Sequence, residues 1–189
     1  MTLETPPLIL SIQSHVAWGH VGNAAAVFPL QRLGFEVLPV HTVQFSNHTG
    51  YGQFRGQVFG ADHIREIIAG LRERGVLQRV SAVLSGYLGD AGTGAVILDA
   101  VGEIRRENPA VRYLCDPVMG DVGRGVFVNP AIPDFLRDQA MPNANIITPN
   151  QFEFELLTGS KPASVAEAVR TARLLRGRGP DTVVVTSLA

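Results

Sequence analysis

The stretch DHIREIIAGLRERGVLQRVSAVL, residues 62–84, contains the order of elements on which the fold depends. Apolar residues recur in it at the spacing i, i+3, i+4 and i+7, which places side chains on one face of a helix, at Ile64, Ile67, Ile68 and Leu71. Gly75 ends this pattern, and the apolar run Ala82–Leu84 follows after a short turn. The stretch therefore predicts a helix followed by a buried strand.

Outward from this stretch, similar apolar runs recur at Leu8–Ile12, Val37–Val43, Val111–Cys115, Asn145–Ile147 and Thr182–Val185. Nearly continuous apolar runs are typical of parallel strands that are covered on both faces. Two more helix-period segments lie around Ile97–Ile104 and Val165–Leu175. The second begins with the pattern Ser164-x-x-Glu167, a capping box in which each side chain is expected to accept the other's backbone N–H. The alternation predicts a single α/β domain over residues 1–189, with a mostly parallel sheet and helices on both faces.

The last predicted strand continues into Thr186 and Ser187, and the sequence ends at Ala189. A parallel strand with no following helix to cover it is an unusual end for such a domain. This position predicts that the C-terminal part of the fold is missing from the sequence, and the alternative is that the strand is a protected edge.

Composition narrows the class of protein. An apolar fraction of 46% and a charged fraction of 17% are ordinary globular values. The net charge is -1 without a basic stripe, which argues against nucleic acid as a partner. No apolar run approaches the roughly 20 residues of a membrane span, and the first residues do not resemble a secretory signal. A lone cysteine, Cys115, excludes an intramolecular disulfide, so we expect a cytoplasmic protein.

Polar and small residues follow almost every predicted strand. In open α/β sheets, ligands bind beyond the carboxyl ends of the strands. The segments at that edge are Gln13–His15 with Gly19–Asn23, Gln44–Tyr51, Ser85–Asp90, Asp116–Asp121, Thr148–Glu153 and Thr186–Ser187. Their composition predicts a small-molecule site.

Three acids among these segments, Asp116, Asp121 and Glu153, would repel one another unless a cation or a basic ligand lay among them. Oxygen ligands alone favour Mg²⁺. Purely structural interpretations remain open. Asn150-x-x-Glu153 is also a helix-capping pattern, Asp116 precedes a proline as turn residues do, and Gly19 to Gly22 fits a turn before a helix. The sequence has neither a dinucleotide-binding glycine fingerprint nor a Walker-type phosphate loop.

Several of these segments resemble the pyridoxal kinases of the ribokinase-like superfamily. The segments Ile12–Val16 with Gly19–Asn23, and Thr42–Tyr51, resemble motifs specific to that family. The segments Ser85–Tyr87, Cys115–Asp121 and Thr148–Glu153 follow in the family's order, although the last two are shared with hydroxymethylpyrimidine kinases. The resemblance covers essentially the whole chain.

The resemblance implies phosphorylation of the 5′-hydroxymethyl group of pyridoxal and related B6 vitamers by MgATP, in a homodimer. It places Ser14 on the pyridine ring. It places around the substrate Val43, Phe45, His48, Thr49, Gly50 and Tyr87. The residues that it implies as ATP contacts are Asp116, Asp121, Thr148, Asn150, Glu153 and Thr186. Asp116, Asp121 and Glu153 are the implied magnesium ligands, partly through water, and Arg124 in the flap-like loop 121–125 is a candidate for phosphate contact.

One departure from the family is large. Pyridoxal kinases carry a downstream Gly-x-Gly-Asp motif that supplies the anion hole and the catalytic base, and this sequence contains none. The implied base would lie beyond Ala189, so we predict that the 189-residue chain is nearly inactive. Three alternatives stay open: a hydroxymethylpyrimidine kinase, a non-catalytic binder of a B6 vitamer, and a structural subunit. The sequence does not decide whether a monovalent cation is needed.

Overall fold

The computed structural model describes residues 6–188, and the chain divides into two compact units, Met1–Val111 and Arg112–Ala189. Strands and helices alternate in both, which confirms the predicted α/β class. The prediction of a single domain stays a prediction, and the two units are described in turn.

The first unit contains a sheet in the order β3-β2-β1-β4. Its elements in chain order are β1 (Leu8–Trp18), α1 (Asn23–Arg32), β2 (Glu36–Asn47), β3 (Gly56–Val58), α2 (Ala61–Glu73), β4 (Val80–Ser85) and α3 (Thr93–Glu107). Strand β1 is parallel to both β2 and β4, whereas β3 pairs antiparallel with β2 at the edge. Short 3₁₀ turns lie at Thr49–Tyr51 and Leu77–Arg79. The parallel core of this sheet is what the apolar runs predict.

The core of the first unit explains why these segments fold as they do. Every residue of β1 from Leu8 to Ser14 is buried, as expected for a parallel strand between two layers. Helix α2 buries Ile64 and Ile68 from its apolar stripe. Helix α3 buries a wider stripe, formed by Val96, Ile97, Ala100, Val101 and Ile104. Helical spacing of apolar residues therefore identified both helices correctly.

The second unit has three parallel strands in the order β5-β8-β9 and a separate antiparallel hairpin, β6-β7. Its elements in chain order are β5 (Arg112–Cys115), β6 (Gly120–Asp121), β7 (Gly125–Val126), α4 (Ala131–Phe135), a π-helical turn (Leu136–Ala140), α5 (Met141–Asn143), β8 (Ile146–Ile147), α6 (Gln151–Thr158), α7 (Val165–Arg176) and β9 (Thr182–Val183). Strand β9 is followed by an isolated parallel bridge between Asn150 and Thr186.

Two expectations about element boundaries were wrong. Strand β1 continues to Trp18 rather than ending near Ile12, and β2 continues to Asn47. Ser14 therefore lies in a strand and not in a loop after it. Polar residues can belong to these strands because strands pair through backbone hydrogen bonds, which do not depend on apolar side chains.

The capping box predicted at the start of α7 is only half formed. The Ser164 side chain accepts a hydrogen bond from the Glu167 backbone N–H at 3.3 Å, as expected. The Glu167 carboxylate instead accepts from the backbone N–H of Ala163 at 2.8 Å. The Glu167 side chain thus bonds to the residue before the N-cap and not to the N-cap itself. The helix still ends at Gly177 as predicted.

Candidate functional site

Ser14 lies in the buried part of β1, at an irregularity in its pairing with β2. Gln13 pairs with His41 but His15 pairs with Gln44, so β2 has one extra residue opposite Ser14. Such bulges re-aim side chains and are frequent beside functional sites. The Ser14 side chain is therefore set in a locally distorted, well-packed segment.

Gly22 packs directly against Ser14. A Cβ atom at Gly22 would lie 2.2 Å from the Ser14 carbonyl oxygen and 2.4 Å from its Oγ. Gly22 also has φ 52° and ψ -133°, a conformation that side-chain-bearing residues rarely adopt. Only glycine fits here, so the turn-forming glycine seen in the sequence is also a close neighbour of a candidate substrate contact.

An apolar cluster lies in the same unit. Val16, Val43 and Phe45 are buried together, and Tyr87 and Val21 pack against them with Ala24. The Thr42 hydroxyl donates a hydrogen bond to the Tyr87 carbonyl oxygen at 2.6 Å, which holds the segment after β4 beside β2. Burial raises the pKa of Tyr87. The structure thus brings together three of the proposed ring contacts.

The segment from His48 to Tyr51 is attached to the end of β1. The His48 backbone N–H donates to the Trp18 carbonyl oxygen at 3.1 Å. Thr49 and Gly50 then form the 3₁₀ turn, in which Thr49 is half-buried and Gly50 is exposed. The rings of His48 and Tyr51 meet edge-on, with centroids 5.3 Å apart.

In the second unit, Asp116 follows β5 and lies beside Thr148, which follows β8. The Thr148 hydroxyl donates to the Asp116 carboxylate at 3.0 Å. Burial raises the pKa of Asp116, and the hydrogen bond from Thr148 opposes that rise. Two parallel strands therefore present an acid and a hydroxyl at the same end, as the sequence predicted.

Asn150 and Glu153 form a complete capping box at the start of α6. The Asn150 side chain accepts from the Glu153 N–H at 2.9 Å, and Glu153 accepts from the Asn150 N–H at 2.9 Å. Glu153 also accepts from the Met119 N–H at 3.0 Å, and Asn150 donates to the Gly120 carbonyl oxygen at 2.9 Å. The helix-capping interpretation is thus confirmed, and these residues also hold the start of hairpin β6-β7.

The charge state of Glu153 is set by opposing influences. Burial raises the pKa of Glu153 to about 7, against hydrogen bonds from backbone N–H groups at Asn150, Met119 and Gly120. The negative charge of Asp116 raises it further. A nearby cation would favour the ionised form of both acids.

Asp121 and Thr186 lie at the margins of this group. The Asp121 carboxylate accepts a hydrogen bond from the Val122 N–H at 2.7 Å, and the side chain is exposed. Thr186 is exposed, and its N–H donates to the Pro149 carbonyl oxygen at 2.9 Å. The Arg124 guanidinium lies over the Phe127 ring, 4.9 Å from its centroid.

Residues 6–188 contain no group of three or more His, Cys, Asp or Glu side chains arranged to hold a metal ion. Both Glu153 oxygens already accept backbone hydrogen bonds. The carboxylate and hydroxyl groups of Asp116 and its neighbours nevertheless offer only oxygen to a metal, which suits Mg²⁺. This ion keeps several waters and is bound through one or two carboxylates together with phosphates. The magnesium assignment stays a prediction.

Sequence reasoning missed several residues of these clusters. Val21 and Asn23 are the clearest cases, since both follow Gly19 and were treated as part of a turn. The available signal was that Gly19 and Gly22 lie so close in sequence to Asn23. The backbone N–H of Met119 was also missed, because no sequence pattern reports which distant carboxylate will accept it.

Comparison with known proteins gives a consistent result. The phosphomethylpyrimidine kinase family matches residues 64–189. Pyridoxal kinase PdxY of Deinococcus radiodurans is 57% identical over 192 residues, covering 100% of this chain and 64% of the relative. The corresponding enzyme of Rubrobacter xylanophilus is 58% identical over 95% of this chain and 62% of the relative. The resemblance to pyridoxal kinases is therefore confirmed, and the chain spans less than two thirds of the length of these curated relatives.

Solved structures agree with this result. A pyridoxal kinase from Leishmania donovani, in complex with ADP and pyridoxine, matches with a TM-score of 0.90 at 36% identity, covering 96% of this chain and 63% of that one. Pyridoxal kinase from Entamoeba histolytica matches with a TM-score of 0.90 at 28% identity, covering 97% and 66%. Within the described residues, no helix is both long and apolar enough to traverse a bilayer.

Proposed function

Because this chain belongs to the phosphomethylpyrimidine kinase family, we propose that it carries the vitamer-binding and phosphate-binding residues of a pyridoxal kinase. In that reaction the 5′-hydroxymethyl oxygen of pyridoxal forms a bond to the γ-phosphorus of MgATP. The bond from that phosphorus to the β,γ-bridging oxygen breaks, the hydroxyl proton passes to a base, and the products are pyridoxal 5′-phosphate and ADP. The same chemistry applies to related B6 vitamers.

The observation that carries this proposal is the combination of one buried hydroxyl with an apolar cluster in the first unit. Ser14 is 9% exposed and is confined by Gly22, so its hydroxyl has few orientations available. Val43 and Phe45, with Tyr87 packed against them, form a surface suited to a flat aromatic ring. We assign to Ser14 a hydrogen bond to the pyridine nitrogen, and to the segment His48, Thr49 and Gly50 the remaining substrate contacts.

In the second unit we assign the polar group around Asp116 to the phosphates of ATP. Its members are Asp116, Asp121, Thr148, Asn150, Glu153 and Thr186. Asp116 would hold Mg²⁺, with Asp121 and Glu153 acting through water. When bound, the ion would neutralise charge on the transferring phosphoryl group. Thr148 keeps Asp116 oriented and favours its ionised form through the hydrogen bond described above.

A second candidate function follows from the family match itself. Hydroxymethylpyrimidine kinases share the Asp116 and Thr148 motifs, so the second unit suits either activity. The pyridoxal kinase proposal is favoured because relatives named as pyridoxal kinases match almost the whole chain.

Direct binding tests the proposal. We expect pyridoxal to bind the purified chain more tightly than hydroxymethylpyrimidine, as measured by isothermal titration calorimetry. Ser14→Ala should weaken pyridoxal binding by about tenfold, the effect of one hydrogen bond of about 1.4 kcal/mol. Ser81→Ala is the matched control, because the Ser81 hydroxyl also lies in the first unit and donates to the Leu8 carbonyl oxygen at 3.0 Å.

Tighter binding of hydroxymethylpyrimidine would favour the second candidate. Equal losses in the two serine variants would contradict the role assigned to Ser14. The homodimer and the cytoplasmic location stay predictions, and the requirement for a monovalent cation stays an open question. Light scattering coupled to gel filtration measures the first of these, and binding titrations in sodium and potassium buffers measure the last.

A further inference from the structure

A buried polar network in the first unit has no part in the proposed function as assigned so far. Asn23, the first residue of α1, is 2% exposed, and Ser11 of β1 is fully buried. The Ser11 hydroxyl donates to the Asn23 side-chain oxygen at 2.7 Å. Buried polar groups are costly unless they are paired, so a network of this kind in a parallel sheet calls for a physical explanation.

The carboxamide of Asn23 connects three elements. Its nitrogen lies 3.0 Å from the Val40 carbonyl oxygen of β2, 3.0 Å from the His41 Nδ1 and 3.3 Å from the Ser11 carbonyl oxygen. The amide nitrogen can only donate, so His41 accepts at Nδ1 and carries its proton at Nε2 when neutral. Burial, and after it the proximity of His15, lowers the pKa of His41, in agreement with a neutral acceptor.

This network lies one residue from the atoms that confine Ser14. Gly22 precedes Asn23, and its carbonyl oxygen accepts hydrogen bonds from the N–H groups of Ala25 and Ala26 at 3.0 and 2.9 Å. Gly22 is therefore held by the first turn of α1, and Asn23 ties that turn to β1 and β2. Its own backbone occupies the space beside the Ser14 Oγ.

We propose that Asn23 is a positioning residue for Ser14, and that it gives the vitamer site its selectivity for a ring with a hydrogen-bond acceptor. The inference rests on the proposed function, since it requires Ser14 to meet the pyridine nitrogen. Asn23 holds α1 against β1 and β2, α1 holds Gly22, and Gly22 limits the orientations of the Ser14 hydroxyl. A hydroxyl that is already oriented binds its acceptor without the cost of being ordered first.

The test compares two ligands rather than one. Pyridoxal is measured against its benzaldehyde analogue, in which C–H replaces the ring nitrogen, and the ratio of the two affinities reports what that nitrogen contributes, including the Ser14 hydrogen bond. The wild-type chain should prefer pyridoxal by about tenfold. Asn23→Ala should reduce that preference to within about twofold.

Asn108→Ala is the matched control. The Asn108 carboxamide lies in the same unit and donates to the Val80 carbonyl oxygen at 3.1 Å, at the end of α3. It should lower the unfolding temperature, measured by circular dichroism, and leave the preference for pyridoxal intact. If Asn23→Ala does not fold, Ser11→Ala removes one partner of the network and should lower the preference about threefold.

The possible results separate the two proposals. A wild-type chain that binds neither ligand would overturn the proposed function, and this inference with it. A wild-type chain that prefers pyridoxal, with the same preference in the folded Asn23 or Ser11 variant, would overturn the inference alone. An equal loss of preference in the Asn108 variant would also overturn it, because the effect would then be one of general stability.

Discussion

The Oε1 atom of Glu153 lies 3.0 Å from the backbone nitrogen of Met119, whose N–H it accepts. The other oxygen of the same carboxylate accepts from the N–H of Asn150 at 2.9 Å. One buried side chain thus joins the residue before hairpin β6-β7 to the start of α6. Both oxygens bind backbone groups, so the carboxylate has a structural task whatever its part in phosphate binding.

Glu153→Gln should remove a pH dependence of stability whose sign is opposite to that of an ordinary surface carboxylate. The pKa of Glu153 rises from 4.5 to about 7 on folding, so the folded state binds the proton more tightly than the unfolded state. Wild-type stability should therefore fall relative to the non-titrating variant as pH rises from about 4.5 to about 7, by at most about 3 kcal/mol. Urea unfolding at a series of pH values measures the difference.

Asp181→Asn provides a control of opposite sign. The hydrogen bond from Arg112 lowers the pKa of Asp181, so the stability that it contributes is present at neutral pH and is lost as pH falls through the folded pKa. If the Glu153 and Asp181 variants showed the same direction of pH dependence, the burial argument for Glu153 would be wrong.

Thr148→Val should weaken MgATP binding by about three- to tenfold, because the variant keeps the shape of the side chain but loses its hydrogen bond to Asp116. The pKa of Asp116, already raised by burial, should rise further, so the deficit should grow as pH falls. Calorimetric titration with MgATP at two pH values checks both points. In the control, Thr158→Val removes a hydroxyl that donates to the Phe154 carbonyl oxygen at 2.7 Å, and nucleotide affinity should not change.

Gly22→Ala should abolish pyridoxal binding and destabilise the first unit by about 2–5 kcal/mol, through backbone strain and overpacking against Ser14. Gly34→Ala is a sharp control. Gly34 has φ 90° but nothing within 4 Å of an added Cβ, so it should cost only about 1–3 kcal/mol of strain and leave binding intact. Chemical unfolding and pyridoxal titration of both variants measure the two effects. Full binding by Gly22→Ala would show that Ser14 does not need this neighbour.

The 189-residue chain should transfer phosphate from ATP to pyridoxal many orders of magnitude more slowly than an ordinary small-molecule kinase. The family resemblance assigns the base and the anion hole to a Gly-x-Gly-Asp motif that this sequence does not contain. Formation of pyridoxal 5′-phosphate, followed by its absorbance with excess ATP, measures the rate. Turnover at an ordinary rate would mean that another residue of this chain acts as the base.

The sequence predicted the elements whose apolar residues repeat regularly. Helices α2 and α3 were predicted from the spacing of their apolar residues, because residues at that spacing lie on one face of a helix and that face is the buried one. Helix α1 has no apolar periodicity by which the sequence could delimit it, because Asn23 is its only fully buried residue and Pro29 lies inside it. Strand β3 was missed because its three residues, Gly56–Val58, are all exposed.

The sequence by itself determined the α/β class and the family, because periodic burial and local motifs are properties of neighbouring residues. It also placed Asn150 and Glu153 at the start of a helix, since a capping box spans only four positions. Only the tertiary structure decided that Glu153 accepts the Met119 N–H and that Gly22 confines Ser14. Those contacts join residues from separate elements, and their partners are chosen by how the elements pack rather than by any spacing along the chain.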